Sequence, residues 1–165
     1  MVPPPAAAGP NFLYRPVEIY NEALRRLRGD GMPQNLPEAA ALFREAADRG
    51  HALSQHNLGV LYLTGQGVPQ DFAMAREWLR KAAEQEPGVA EAAFKLGVIY
   101  ATGQGVPVDA REAAKWLEKA AAQKHVEAAQ NLATLYLGKQ LGEPDYAAAI
   151  KWFRVAAEGG HVPSQ

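Results

Sequence analysis

The four histidines, His51, His56, His125 and His161, are the side chains of this chain best suited by type to hold a metal or move a proton. His51 and His56 supply two ligands, but no Cys, Asp or Glu stands at a convincing spacing to complete a site. His125 and His161 are one repeat apart, as residues that pack or cap in the same way would be, so a structural role at helix ends is the expectation. The chain has no cysteine, which excludes thiol nucleophiles, disulfides and cysteine-ligated zinc or iron. Its serines, Ser54 and Ser164, stand in no nucleophile elbow. The loops Gly65-Gln66-Gly67 and Gly103-Gln104-Gly105 follow no strand-like run and lead to no lysine–serine or lysine–threonine pair, so they are not phosphate-binding loops. Neither a catalytic residue, a metal ligand nor a cofactor is expected.

The glycine loops belong to a longer recurrence. Gly65-Gln66-Gly67-Val68-Pro69-Gln70-Asp71 returns as Gly103-Gln104-Gly105-Val106-Pro107-Val108-Asp109. Leu58-Gly59 and Tyr62 precede the first copy, Leu96-Gly97 and Tyr100 the second. Ala75 to Ala83 and Ala113 to Ala121 follow them, each reading Ala-x-x-Trp-Leu-x-x-Ala-Ala. A worn copy precedes these with Gly29, Gly31 and Asn35, and another follows with Tyr136, Asp145, Ala149 and Trp152. Four units are expected, at about 16–51, 52–89, 90–125 and 126–161, the extra residues of the second falling around Glu86-Pro87-Gly88. Self-similarity of this period is the signature of stacked helical repeats. Residues 1–15, rich in Pro and Ala, read as a leader or linker. His161 to Gln165 resemble the opening of one more unit, with 162–165 as its stub, and the reading leans to a segment of a longer array.

Each unit divides into two helices. Leu58, Leu61 and Tyr62 recur at helical spacing on one face. Glycine inside a helix costs about 1 kcal/mol against alanine, so Gly59 and Gly97 point to close approach by the partner helix. The first glycine of each loop suits a left-handed helix end, and the second permits a tight turn with Val68 or Val106 tucked into the hinge. Asn35, Asp71, Asp109 and Asp145 then fall where the second helix needs its N-cap, with capping-box spacing from Asn35 to Glu38 and Asp109 to Glu112. Trp78, Trp116 and Trp152 are candidate core residues among small alanines.

On the residues Leu58-Gly59, Tyr62, Gly65, Gly67, Val68, Asp71, Ala75, Trp78, Ala82 and Ala83, and their second copy from Leu96-Gly97 to Ala121, the sequence resembles the Sel1-like repeat family, a branch of the tetratricopeptide-type repeats. The resemblance covers about Pro16 to His161. It implies an all-α fold, a right-handed superhelix of antiparallel helix pairs, and service as a protein-binding adaptor or scaffold. In such repeats the first helices line the concave face. Once the packing positions are removed, the variable residues expected there are Tyr20, Asn21, His56, Asn57, Val60, Phe94, Lys95, Val98, Gln130, Asn131 and Thr134. Aromatics, amides and one lysine suit an extended peptide or a helix, Phe94 as hydrophobic anchor and Asn57 and Asn131 as backbone grips.

Charge narrows the alternatives. With 17 basic and 18 acidic residues the net charge is -1, giving no general pull toward nucleic acid or anionic membrane. Arg25, Arg26, Arg28 and Arg44 are interleaved with Glu22, Asp30, Glu38 and Glu45, which disfavours a nucleic-acid-binding face. No run is long and apolar enough to span a bilayer. The expected partner is a protein or peptide, with stacking of two copies end to end, or homotypic assembly within a bacterial envelope or polarity protein, as the alternative. The compartment is not specified; composition leans to a bacterial cytoplasm or periplasm.

Overall fold

The structure, a computed structural model, describes residues 15–160. Among them it contains α-helices and no strand: α1 (Pro16–Arg28), α2 (Leu36–Asp48), α3 (Ala52–Thr64), α4 (Phe72–Glu84), α5 (Ala90–Thr102), α6 (Ala110–Ala122), α7 (Val126–Leu137) and α8 (Tyr146–Gly160). The fold class is all-α, as the periodicity predicts. Residues 1–14 of the leader, His161 and the stub at 162–165 lie outside the described residues.

Two compact units divide the chain, residues 1–78 and 79–165. In the first, α1 packs on α2 and α2 on α3. Its core joins Phe43 of α2 to Leu58, Leu61 and Tyr62 of α3, with Ala23, Ala39, Ala75 and Trp78 around them. In the second, α5 packs on α6, α6 on α7 and α7 on α8. Small residues make these packings close. A Cβ added to Gly97 of α5 would stand 2.6 Å from Cγ and Cδ2 of Leu117 on α6 and 3.3 Å from the Ala113 carbonyl oxygen. The glycine therefore costs helix propensity and returns closer contact between α5 and α6.

The loops follow the sequence pattern. Gly29, Gly65 and Gly103 end α1, α3 and α5 at φ of 77°, 72° and 75°, and each donates its N–H to a carbonyl of the last turn. The fourth loop, whose sequence differs, departs here too: Gly138 is extended, at φ -83°. Val68 tucks against the first unit's core. Asn35, Asp71, Asp109 and Asp145 each accept from the backbone N–H three residues on, at 3.0 to 3.1 Å.

The capping boxes are only half made. The backbone N–H of each cap residue donates instead to the preceding helix, Asn35 to Arg26, Asp71 to Tyr62, Asp109 to Tyr100 and Asp145 to Tyr136, at 2.8 to 2.9 Å. Glu112 is thereby released to accept from Trp116 Nε1 at 3.0 Å. These bonds pin the two helices of a hairpin at the loop, and two glutamines reinforce them: Gln34 Nε2 donates to the Leu27 carbonyl and Gln70 Nε2 to that of Leu63, both at 2.9 Å.

Candidate functional site

The eleven candidate residues lie on first helices: Tyr20 and Asn21 on α1, His56, Asn57 and Val60 on α3, Phe94, Lys95 and Val98 on α5, and Gln130, Asn131 and Thr134 on α7. Five belong to the first unit and six to the second.

In the first unit Asn21 is exposed, while His56, Asn57 and Val60 are half-buried on α3. Tyr20 is held by rings rather than left free. It lies 5.9 Å from Phe43 and 4.8 Å from His51, centroid to centroid, both tilted. His51 caps α3, its Nδ1 accepting from the Ser54 N–H at 3.2 Å, with the Ser54 hydroxyl at 2.8 Å. Gln55 Nε2 donates to the Ala47 carbonyl at 3.2 Å and ties α3 to the end of α2. The helix-end role expected of His51 and His125 is that of N-cap, to α3 and α7.

The second unit repeats the arrangement. Phe94 stacks on His125 with centroids 4.6 Å apart and planes 25° apart. His125 Nδ1 accepts from the Ala128 N–H at 3.1 Å, which leaves Nε2 to carry the proton toward Glu91, 2.6 Å away. Glu91 also pairs with Lys95 at 3.8 Å. Phe94 and Lys95 thus belong to one network that sets the start of α7 against α5. The pairing of ring and cap is visible in the sequence only afterwards, as an aromatic residue 31 positions before a capping histidine, Tyr20 to His51 and Phe94 to His125.

Beside that network the structure brings three candidates together. Val98 of α5 and Asn131 and Thr134 of α7 line a cleft of about 190 Å³ with Ala101, Thr102 and Leu135, and Leu117 of α6 is its floor. Asn131 and Thr134 are exposed on one wall, and Val98 is half-buried on the other. The hydroxyls of Thr102 and Thr134 donate back to the carbonyls of Val98 and Gln130, at 2.7 and 2.9 Å. The cleft is mostly aliphatic, with one free-standing amide at its rim. Sequence reasoning missed Thr102 and Leu135, which share α5 and α7 with the named residues. Gln130 is directed elsewhere and lines a separate hollow with Val126 and Phe153.

Burial pushes the His51 imidazole below its ordinary pKa of 6.5. Its folded state then binds fewer protons than its unfolded state between that lowered value and 6.5, so stability rises with pH across the window. The contribution is complete above pH 6.5 and is lost as pH falls through the folded value, where protonation also removes the acceptor that caps α3. Thermal unfolding followed from pH 7.5 to 5 should show this loss, and His51→Asn, a cap that does not titrate, should flatten the slope. An unchanged slope would remove His51 from the account.

Among the described residues no group of three or more His, Cys, Asp or Glu is placed to hold a metal. No helix among them is long and apolar enough to cross a membrane.

Comparison with known proteins gives one consistent result. The family model of the Sel1 repeat matches residues 21–51, 52–87, 90–125 and 126–161. The Sel1 repeat protein from Oxalobacter formigenes is similar in structure, with TM-score 0.82 and 29% identity over 93% of this chain and 62% of that one. So is c5321, a protective antigen of uropathogenic Escherichia coli strains displaying an SLR fold, with TM-score 0.84 and 33% identity over 93% of this chain and 32% of that one. The chain therefore spans less than two thirds of the length of either relative.

Proposed function

The chain belongs to the Sel1 repeat family, whose repeats serve generally as protein–protein interaction scaffolds, and from that membership we propose that it is a non-catalytic adaptor that binds an extended peptide segment on its first helices. The observation that carries the reading is the cleft between α5 and α7, where Val98, Leu117, Asn131 and Thr134 meet. Its volume of about 190 Å³ and aliphatic lining suit one branched aliphatic side chain. The Asn131 amide at the rim offers a donor and an acceptor to the peptide backbone. Phe94 acts one step back: stacked on His125, it fixes the start of α7 and so the position of Asn131. The variable residues of α1 and α3 hold the corresponding positions in the first unit.

The test is selection from a random-peptide display library on the immobilised 165-residue protein. Selected peptides are expected to share an aliphatic residue, and Val98→Asp and Asn131→Ala should each weaken them at least about tenfold, the cost of a lost anchor or backbone grip. The reading fails if binding survives both changes and is lost instead on changing Lys115 or Glu118 of the α6 outer face. Salt-sensitive binding of unrelated oligonucleotides, with no peptide selected, would replace it with the nucleic-acid alternative.

A further inference from the structure

The positions that line the α5–α7 cleft have counterparts in the first unit, on α1, α2 and α3. Val98, Ala101 and Leu117 of the second unit stand where the first unit has Leu24, Leu27 and Phe43. Each of the three is the smaller residue of its pair. Leu24 and Leu27 pack against the first unit's core, to which Phe43 belongs, so the chain's own side chains fill that place. At the position of Ala101 the other three units all carry leucine, as Leu27, Leu63 and Leu137. The cleft of about 190 Å³ therefore opens where a leucine of the repeat is reduced to a methyl group.

Two further features keep the space open and apolar. Gly97 makes room for the floor residue: its missing Cβ would stand 2.6 Å from Cγ and Cδ2 of Leu117, so that part of the Leu117 side chain lies against the α5 backbone. The first unit has the wholly buried Ala23 at that position. On the walls, the Thr102 and Thr134 hydroxyls already donate to the Val98 and Gln130 carbonyls. What the cleft offers a visitor is then mainly aliphatic carbon, with the exposed Asn131 amide at its rim. Water gains little on such walls, and an aliphatic group gains by leaving water for them.

We propose that the α5–α7 cleft is a leucine subsite, that Ala101 is the residue that makes it one, and that the partner is an extended segment whose leucine side chain takes the place vacated by the repeat leucine. The subsite lies on the peptide-binding surface proposed above and rests on that reading, to which it adds the side chain that is read and the residue that selects it. Leucine supplies the γ-carbon and two methyl groups by which Ala101 falls short of Leu27. Alanine leaves the space unfilled. A phenylalanine ring overfills it, and the walls are packed helices that part only at a cost. The counterpart in the first unit, filled by Leu24 and Leu27, reads no side chain.

Two measurements compare the 165-residue protein with its Ala101→Leu variant. Thermal unfolding shows whether the space is that of a leucine: the variant is expected to gain about 2–4 °C in Tm. No gain would overturn the proposal and leave the peptide-binding reading untouched. Methyl NMR then follows titration with the probes acetyl-Gly-Ser-X-Ser-Gly-amide, where X is leucine, alanine or phenylalanine. With leucine the methyl signals of Val98, Leu117 and Leu135 should shift, half-saturating at a concentration at least about fivefold lower than with either other probe. Ala101→Leu should abolish those shifts. An equal response to leucine and phenylalanine, or shifts that survive Ala101→Leu, would overturn the proposal. Library-selected peptides that bind through Asn131 but share no leucine would sink the leucine subsite alone. If neither the library nor the leucine probe binds, the peptide-binding reading falls and the subsite with it.

Discussion

Gly67→Ala is expected to destabilise the first unit by about 3 kcal/mol or more, although it adds one methyl group in a surface loop. Two independent terms act together. Gly67 has φ of 75°, where an L side chain costs about 1–2 kcal/mol. Its Cβ would also stand 2.3 Å from the Leu36 carbonyl oxygen, 2.6 Å from the Leu36 carbonyl carbon and 3.0 Å from Pro37 N. Those are backbone atoms of the first turn of α2, so relief requires moving the loop or the start of the helix rather than rotating a side chain. Gly31, the counterpart one repeat earlier, is the internal control. It has φ of 73° but meets nothing nearer than the Arg25 guanidinium at 3.9 Å. Gly31→Ala should therefore lose only the conformational term, about 1–2 kcal/mol. Urea unfolding of both variants measures the difference, and equal losses would show that the approach to Leu36 is not what holds the loop.

That glycine marks the boundary of what is legible in the sequence. The N-caps, the left-handed helix ends and the helix pairs can be read from Asp71, Asp109 and Asp145 and from the paired glycines, because each depends on residues within one loop and the repeat prints them several times. The second glycine reads only as a turn former, since its other duty concerns a carbonyl in the repeat before it. The capping boxes read as complete, because spacing cannot reveal that the cap N–H already serves the helix behind it. The candidate surface shows the same limit. Helical phase places Val98, Asn131 and Thr134 on first helices, but it cannot say that they share a cleft with Leu117 or that Phe94 spends one ring face on His125. Both facts depend on how α5, α6 and α7 meet, and local pattern does not encode that distance.

Phe43→Ala and Phe153→Ala put the same chemical change at the same repeat position and should give very different losses. Phe43 is fully buried within the core of the first unit, among Leu58, Tyr62 and Trp78. Its removal forfeits the transfer of the ring and leaves a cavity whose helical walls cannot readily collapse, about 3–5 kcal/mol. Tyr20 would lose a ring neighbour as well, which loosens its hold on His51 and the cap of α3 with it. Phe153 keeps 41% of its surface in water, so its truncation opens a groove that water fills and adds no cavity term. The loss there should stay under about 1.5 kcal/mol, part of the transfer energy of a buried ring. Amide exchange reads each unit separately, which matters because stacked repeats need not unfold as one two-state body. Protection should fall in α2 and α3 for Phe43→Ala and hardly change in α7 and α8 for Phe153→Ala. Comparable losses would mean that Phe153 is already covered in solution.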